Sequence, residues 1–212
     1  MDNQPVKFDP KSPFDQAQGR HHRKSIRLAG YDYAQAGAYF VTSITWRRGN
    51  LFGEVVNGEM VLNDFGKIAD DCWRAIPEHF PTVELGAHVV MPNHVHGIIM
   101  IVDNQLDAAG RGAIYRAPTT DHAHIAEHTP TVEQFGKPTV GSIPTIVRTY
   151  KAAVTRLIGR QFNATGIWQR NYYEHILRNK REMAQIWDYI EANPANWLTD
   201  DENPVNIQKE TP

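Results

Sequence analysis

The residues that invite chemistry are a histidine pair, His94-Val95-His96, at the head of an apolar run that continues to Val102. Side chains alternate across a β-strand, so residues two apart share a face and both imidazoles point the same way. Side by side they can chelate one cation, and the small Gly97 beside them leaves room for backbone or substrate to approach. Spacing alone does not settle the matter. The chain holds 10 histidines, enough for roughly 0.4 such pairs by chance. A second pair, His122 and His124, sits where nothing around it is rigid. What sets His94 and His96 apart is a strand that reads as buried, where two polar rings need partners. Metal ligation and structural hydrogen bonding both meet that need.

A phenol is the second reactive group to weigh. At 100° per residue, Met183, Ile186, Trp187 and Ile190 fall on one apolar stripe of a helix, with Glu182, Gln185, Tyr189 and Asn193 on the stripe beside it. Tyr189 therefore sits at the core's edge with its hydroxyl free to face a cleft, and Asn193, one turn on, presents its amide next to that hydroxyl. A phenol with a pKa of ~10 is a poor nucleophile. It becomes useful near a cation that stabilises the phenolate and polarises a phosphate. The chain has 8 tyrosines, and pattern alone does not choose among Tyr172, Tyr173 and Tyr189.

The elements that must position these groups can be read from period and punctuation. YFVTSITW (39–46) alternates among β-formers and predicts a strand. LFGEVVNGEMVL (51–62) predicts a hairpin about Asn57-Gly58. From Asn63 the period becomes helical through Phe65, Ile68, Ala69, Cys72, Trp73 and Ile76, with Pro77 as the stop. Residues 83–90 and 94–102 predict two strands. After a stretch without sustained periodicity, Ser142 opens a helix with Ile146, Val147, Tyr150, Val154, Leu157 and Ile158 on one face and Gly159 at its end. IWQRNYYEHIL (167–177) is strand-like but mixed. Asn179 with Glu182 makes a capping-box-like start to a last helix ending before Pro194. Strand, hairpin, helix, two strands, helix, strand, helix is an α+β pattern: an antiparallel sheet with packed helices. The expected organisation is a flexible basic arm over 1–30, a domain over 31–200 with an inserted loop at 103–141, and an acidic tail over 201–212.

Composition narrows the class. One cysteine, Cys72, excludes an internal disulfide and a thiolate zinc cage. No apolar leader follows Met1 and no apolar run approaches ~18 residues, so a cytoplasmic protein without membrane association is expected. The net charge of −2 hides a division: residues 140–181 carry eight Lys/Arg against Glu174 alone, and residues 20–48 carry six against Asp32 alone. Phosphate binding depends on local cations, so this distribution permits a nucleic-acid partner without showing one. Arg148, Lys151 and Arg156, projecting from the predicted helix, and Arg170 after it are the candidate DNA contacts.

Taken in order, Tyr31-Asp32-Tyr33, AGAYFVT, LFGEVVNGEMVLN, VVMPNHVHGIIMI, GSIPTIVRTYKAAVTR, IWQRNYYEHILRN and DYIEANPANW resemble the single-tyrosine HUH transposases, and within them the REP-associated branch linked to repeated extragenic palindromes. The resemblance covers roughly residues 31–204. It implies an RRM-like, ferredoxin-like antiparallel sheet, metal-binding histidines at His94 and His96, a nucleophile at Tyr189, a third metal ligand at Asn193, and Mg²⁺ or Mn²⁺ as cofactor, with Mn²⁺ the better match to imidazole. The implied activity is cleavage and rejoining of single-stranded or hairpin DNA through a 5′-phosphotyrosine intermediate. A domesticated binder that no longer cuts, and a phosphodiesterase that uses water, are the alternatives; monomer and homodimer both stay open. Glu191, Ala192 and Asn196-Trp197 depart from relatives and bear on hairpin contacts more than on chemistry.

Overall fold

The computed structural model describes residues 31–102 and 139–207. The 1–30 arm, the His122/His124 pair with nearly all of the insertion, and the last residues of the tail lie outside the described residues. Strand β1 (Gly37–Ile44) is buried along almost its whole length, as the β-forming run predicts. The hairpin of β2 (Gly53–Val56) and β3 (Glu59–Leu62) turns on Asn57 and Gly58, both at positive φ (53° and 81°). That is the primed turn whose twist matches paired strands.

Helix α1 (Asp64–Arg74) is capped by Asn63, whose side chain accepts from the Gly66 amide at 3.0 Å. Pro77 does not act as the stop. It lies in the first turn of a separate short helix, α2 (Ile76–His79), where a missing N–H costs nothing. Strands β4 (Val83–Val90) and β5 (His94–Ile101) follow. Helix α3 (Ile143–Phe162) runs three residues past Gly159 because Asn163 adopts the left-handed conformation (φ 53°) and donates its N–H to the Gly159 carbonyl. Asparagine thus takes the C-terminal role that glycine usually fills. Only Tyr173–Leu177 of the mixed segment forms a strand, β6, while Trp168 makes an isolated bridge to Thr45. Helix α4 (Lys180–Ala192) and the short helix α5 (Pro204–Ile207) complete the described chain.

The four long strands form one antiparallel sheet in the order β4-β5-β1-β6. With α1 before β4 and α3 before β6, this is the ferredoxin-like, RRM-like α+β arrangement, with the β2–β3 hairpin as an insertion. A bulge in β4 between Leu85 and His88 changes which residues face which side. On one face, Ala38, Phe40, Ile98 and Leu177 pack against Ile186 and Ile190 of α4. On the other, Trp73 of α1 lies against Gly97, and Tyr150 of α3 meets Trp73 edge-on at 5.2 Å and donates to the Ala69 carbonyl. Gly97 therefore admits a tryptophan from the far side of the sheet, not a substrate beside the histidines. Alternation itself dictates this, since residue 97 must face away from residue 96. The two helical layers thus serve different ends: α1 and α3 build the core behind the sheet, and α4 covers the face that carries the histidines.

Candidate active site

His94 and His96 are both buried on the α4 face, with ring centroids 4.3 Å apart. Each ring is held through Nδ1. Thr42, directly opposite His96 in the β1–β5 register, places its hydroxyl 2.8 Å from His96 Nδ1. Asn93 places Oδ1 2.8 Å from His94 Nδ1. The Asn93 amide has no freedom to flip, because Nδ2 donates to the Glu202 carbonyl at 2.6 Å and to the Arg48 carbonyl at 3.3 Å. Its oxygen must then accept from His94 Nδ1–H, which leaves the His94 lone pair on Nε2. Burial, the neighbouring His96 and Arg48 hold His94 well below the ordinary histidine range; burial lowers His96 to about 3. Both rings are neutral near pH 7, as metal ligands must be.

Helix α4 delivers the tyrosine. Asn179 accepts from the Glu182 amide at 2.9 Å, and Glu182 reaches back to the Arg178 amide and to His175, so the first turn is fixed on β6. Two turns on, the Tyr189 hydroxyl lies 3.2 Å from His96 Nε2, and its ring meets Phe40 edge-on at 6.1 Å. Burial, with Asp200 and Asp201 nearby, pushes the phenol well above its ordinary value. Asn193 caps the helix end, fully buried. Its Nδ2 donates to Asp200 at 2.9 Å, while its side chain lies close enough to His94 and Tyr189 to influence both. Neither His94 Nε2 nor Asn193 Oδ1 has a hydrogen-bond partner among the described residues. Leaving two buried polar atoms unsatisfied costs about 1–3 kcal/mol each.

Those two orphaned atoms test the fit of a metal. The His94 lone pair, the His96 imidazole 4.3 Å from it between ring centroids, and the Asn193 amide beside His94 make a mixed nitrogen and oxygen set that suits a divalent cation such as Mn²⁺. No group of three or more His, Cys, Asp or Glu side chains of metal-binding kind occurs among the described residues. The set here is two histidines and an asparagine. His94, His96, Tyr189 and Asn193 thus converge, although 93 residues separate Tyr189 from His96. Tyr173 meets Phe40 edge-on at 6.3 Å, and the Tyr189 phenol is hydrogen-bonded to a histidine of the pair.

The basic side chains do not join them. Arg148 and Arg156 are exposed on α3, the helix packed behind the sheet, and Arg170 is exposed in the loop before β6. Lys151 is committed elsewhere: Nζ donates to the Gln169 carbonyl at 2.6 Å and the Asn171 carbonyl at 3.0 Å, beside the Trp168 ring. Burial lowers its ammonium to about 8. Four residues that periodicity and charge did not single out shape the site: Thr42, Arg48, Asn93 and Asp200. Asn93 adjoins the histidine motif and so carried a signal. Arg48, paired with Glu202, and Asp200, raised by burial to about 6, carried none, because their partners are distant in sequence.

The buried rings make a pH prediction for the metal-free protein. His96 has a folded value below its unfolded 6.5, so its contribution is intact above pH 6.5 and is lost as pH falls from there toward 3. By linkage, His96 alone removes about 2 kcal/mol of stability between pH 7 and pH 5, and His94 acts in the same direction. Asp200 opposes them: its folded value is raised, so protonation in the folded state returns about 1 kcal/mol over that interval. Urea unfolding in the presence of a chelator should therefore show a net loss at pH 5. A flat or rising profile would mean that the rings are not held neutral and buried.

No protein-family profile matches the chain. It is 39% identical over 182 residues to an uncharacterized protein of Haemophilus influenzae, covering 86% of this chain and 93% of the relative. It is 24% identical over 165 residues to a second H. influenzae protein, named "Putative REP-associated tyrosine transposase", covering 77% of this chain and 73% of the relative. A solved structure of a REP-associated tyrosine transposase bound to a REP hairpin aligns with a TM-score of 0.48 and 19% identity, over 84% of this chain and 74% of that one. The fold is an α+β antiparallel sheet with packed helices, and it carries a buried histidine pair. The chain is thus similar in sequence to a protein named as a putative REP-associated tyrosine transposase.

Proposed function

We propose that the protein cleaves and rejoins single-stranded DNA, of the hairpin-forming kind that repeated palindromes supply, with Tyr189 as nucleophile and His94, His96 and Asn193 as metal ligands. The observation that carries this reading is the 3.2 Å approach of the Tyr189 hydroxyl to His96 Nε2, on the face that also holds His94 and Asn193. A divalent cation on those three residues would supply the positive charge that stabilises a phenolate and polarises a phosphate. Tyr189 Oη attacks phosphorus and the bond to the 3′ oxygen breaks, giving a 5′-phosphotyrosine link. The phenol proton is lost to solvent and the departing 3′ oxygen takes one up, so the step is proton-neutral. The freed 3′-hydroxyl reverses the reaction on the same or another strand without an external energy source. Asn93 holds His94 in one tautomer, and Thr42 holds the His96 ring in its orientation.

The surface beside the site suits a single strand. Trp46, 52% exposed, follows β1 at the His94 end of the sheet, and the Arg47 guanidinium lies 5.8 Å above its ring. Arg47 and Arg48 both adopt positive φ (54° and 55°), a conformation that costs non-glycine residues on the order of 1–3 kcal/mol and gathers at functional sites. An aromatic ring with a cation over it is the kind of platform on which unpaired bases stack. Arg148, Arg156 and Arg170 are kept as phosphate contacts on charge and exposure, whereas Lys151 is spoken for by backbone carbonyls.

The test is to incubate the protein with labelled single-stranded repeat DNA and Mn²⁺, denature it, and map any DNA-linked peptide by mass spectrometry. A Mn²⁺-dependent adduct on the peptide containing Tyr189 is the expected result. Cleavage without an adduct would favour the water-using phosphodiesterase, and binding without cleavage the domesticated binder.

A further inference from the structure

Resting on the reading of His94, His96 and Asn193 as a metal centre, we propose that Asp200 is a positioning residue that dictates which end of the Asn193 amide faces the metal. An asparagine amide can ligate a cation only through its oxygen, and its two ends are nearly the same shape, so packing alone does not choose between them. The choice needs a partner that can only accept or only donate.

Asp200 is that partner. Its Oδ2 accepts from Asn193 Nδ2 at 2.9 Å, which turns Asn193 Oδ1 toward His94, where neither Oδ1 nor His94 Nε2 has a hydrogen bond among the described residues. Its other oxygen, Oδ1, accepts from the Glu202 amide at 2.7 Å. The backbone of residue 200 is pinned in turn: its N–H donates to the Trp197 carbonyl, and its carbonyl accepts from the Asn203 amide and from Asn206 Nδ2. Trp197 lies 6.1 Å from the His94 ring. The carboxylate is held from both sides and meets Asn193 with an acceptor and nothing else.

This geometry makes an isosteric substitution revealing. In Asp200→Asn the immovable Glu202 amide claims the single side-chain oxygen, so the new amide group must face Asn193. Asn193 then flips to offer its oxygen there and turns Nδ2 onto the His94 lone pair, which withdraws one ligand and blocks a second. Isothermal titration of the full-length protein with Mn²⁺, without DNA, should show affinity about 10–100-fold weaker, the range for removing an outer partner of a metal ligand. The thermal midpoint should change little. Exchanging the two groups, in Asn193→Asp combined with Asp200→Asn, lets residue 200 donate to one carboxylate oxygen and leaves the other for the cation, so Mn²⁺ affinity returns to within a few-fold of the unchanged protein. A purely structural role would not produce that rescue. Equal Mn²⁺ affinity in Asp200→Asn, or an exchanged pair that fails to recover it, overturns the role of Asp200 and leaves the metal centre standing. An unchanged protein that binds no Mn²⁺ overturns the metal centre and the role together.

Discussion

A Tyr189→Phe protein should form no covalent adduct with single-stranded DNA, a loss of at least about 1000-fold given what deletion of a nucleophile costs other covalent enzymes. It should nonetheless fold and bind Mn²⁺. Phenylalanine keeps the ring that packs against Phe40 and the α4 core and removes only the hydroxyl. That hydroxyl makes a hydrogen bond of 3.2 Å to His96 Nε2, worth about 1 kcal/mol net. With that hydroxyl as donor it occupies the Nε2 lone pair that a cation needs from His96, so hydroxyl and metal compete for one position. Mn²⁺ affinity in Tyr189→Phe should therefore equal or exceed that of the unchanged protein. Titration calorimetry and adduct formation, measured on one preparation, separate loss of the nucleophile from loss of the site. Adduct that persists in the variant removes Tyr189 from the mechanism. Cleavage that persists without adduct points to water as the nucleophile.

Gly97→Ala should be as damaging to the fold as Tyr189→Phe is to the chemistry. A Cβ at residue 97 would stand 2.2 Å from Trp73 Cζ2 and 2.7 Å from Cε2. Trp73 has no room to retreat: it is fully buried, stacked on His88 at 6.0 Å and met edge-on by Tyr150 at 5.2 Å, while His88 is anchored to Asp70 at 2.8 Å. Relief must come from β5 moving off α1, at a cost of about 3 kcal/mol and a fall in thermal midpoint of roughly 6–12 °C. Because β5 also carries His94 and His96, the displacement reaches the metal ligands, and Mn²⁺ affinity should fall with stability. Gly159→Ala is the control. Its Cβ would meet only the Ala164 carbonyl at 3.5 Å, within a helix where alanine is favoured by up to about 1 kcal/mol. A Gly97→Ala protein as stable as the unchanged one would show that the sheet and α1 are not packed as described.

Much of the fold was legible because its signals are short-range. The Asn57-Gly58 turn, the change to helical period after Asn63, the Asn179 cap and the alternation of β5 depend on contacts within a few residues, and the structure contains all of them. Where local reading misjudged, a neighbour supplied what the pattern could not. Pro77 opens a helix because Ala75 ends the previous one. Helix α3 passes Gly159 because Asn163 accepts a left-handed conformation and because Phe162 reaches Phe65, with ring centroids 5.0 Å apart. Trp187, placed on the apolar stripe of α4 by period, is 37% exposed. Its ring edge reaches Gly86 of β4, while its indole N–H donates to Glu191 at 2.7 Å.

By itself, the sequence determined that His94 and His96 share a face, that Tyr189 and Asn193 lie one turn apart on a capped helix, and that cations cluster late in the chain. Those are properties of backbone period and of residue counts. Only the tertiary structure decided which tyrosine meets the histidines, because β1, β5 and α4 come together through contacts spanning 93 residues and more. It alone set Trp73 against Gly97, tied Lys151 to two carbonyls, and brought Asn93, Arg48 and Asp200 around the pair. An amide's orientation and a ring's tautomer depend on which donors and acceptors lie within about 3 Å. That proximity is set by how distant segments pack, and no periodicity encodes it.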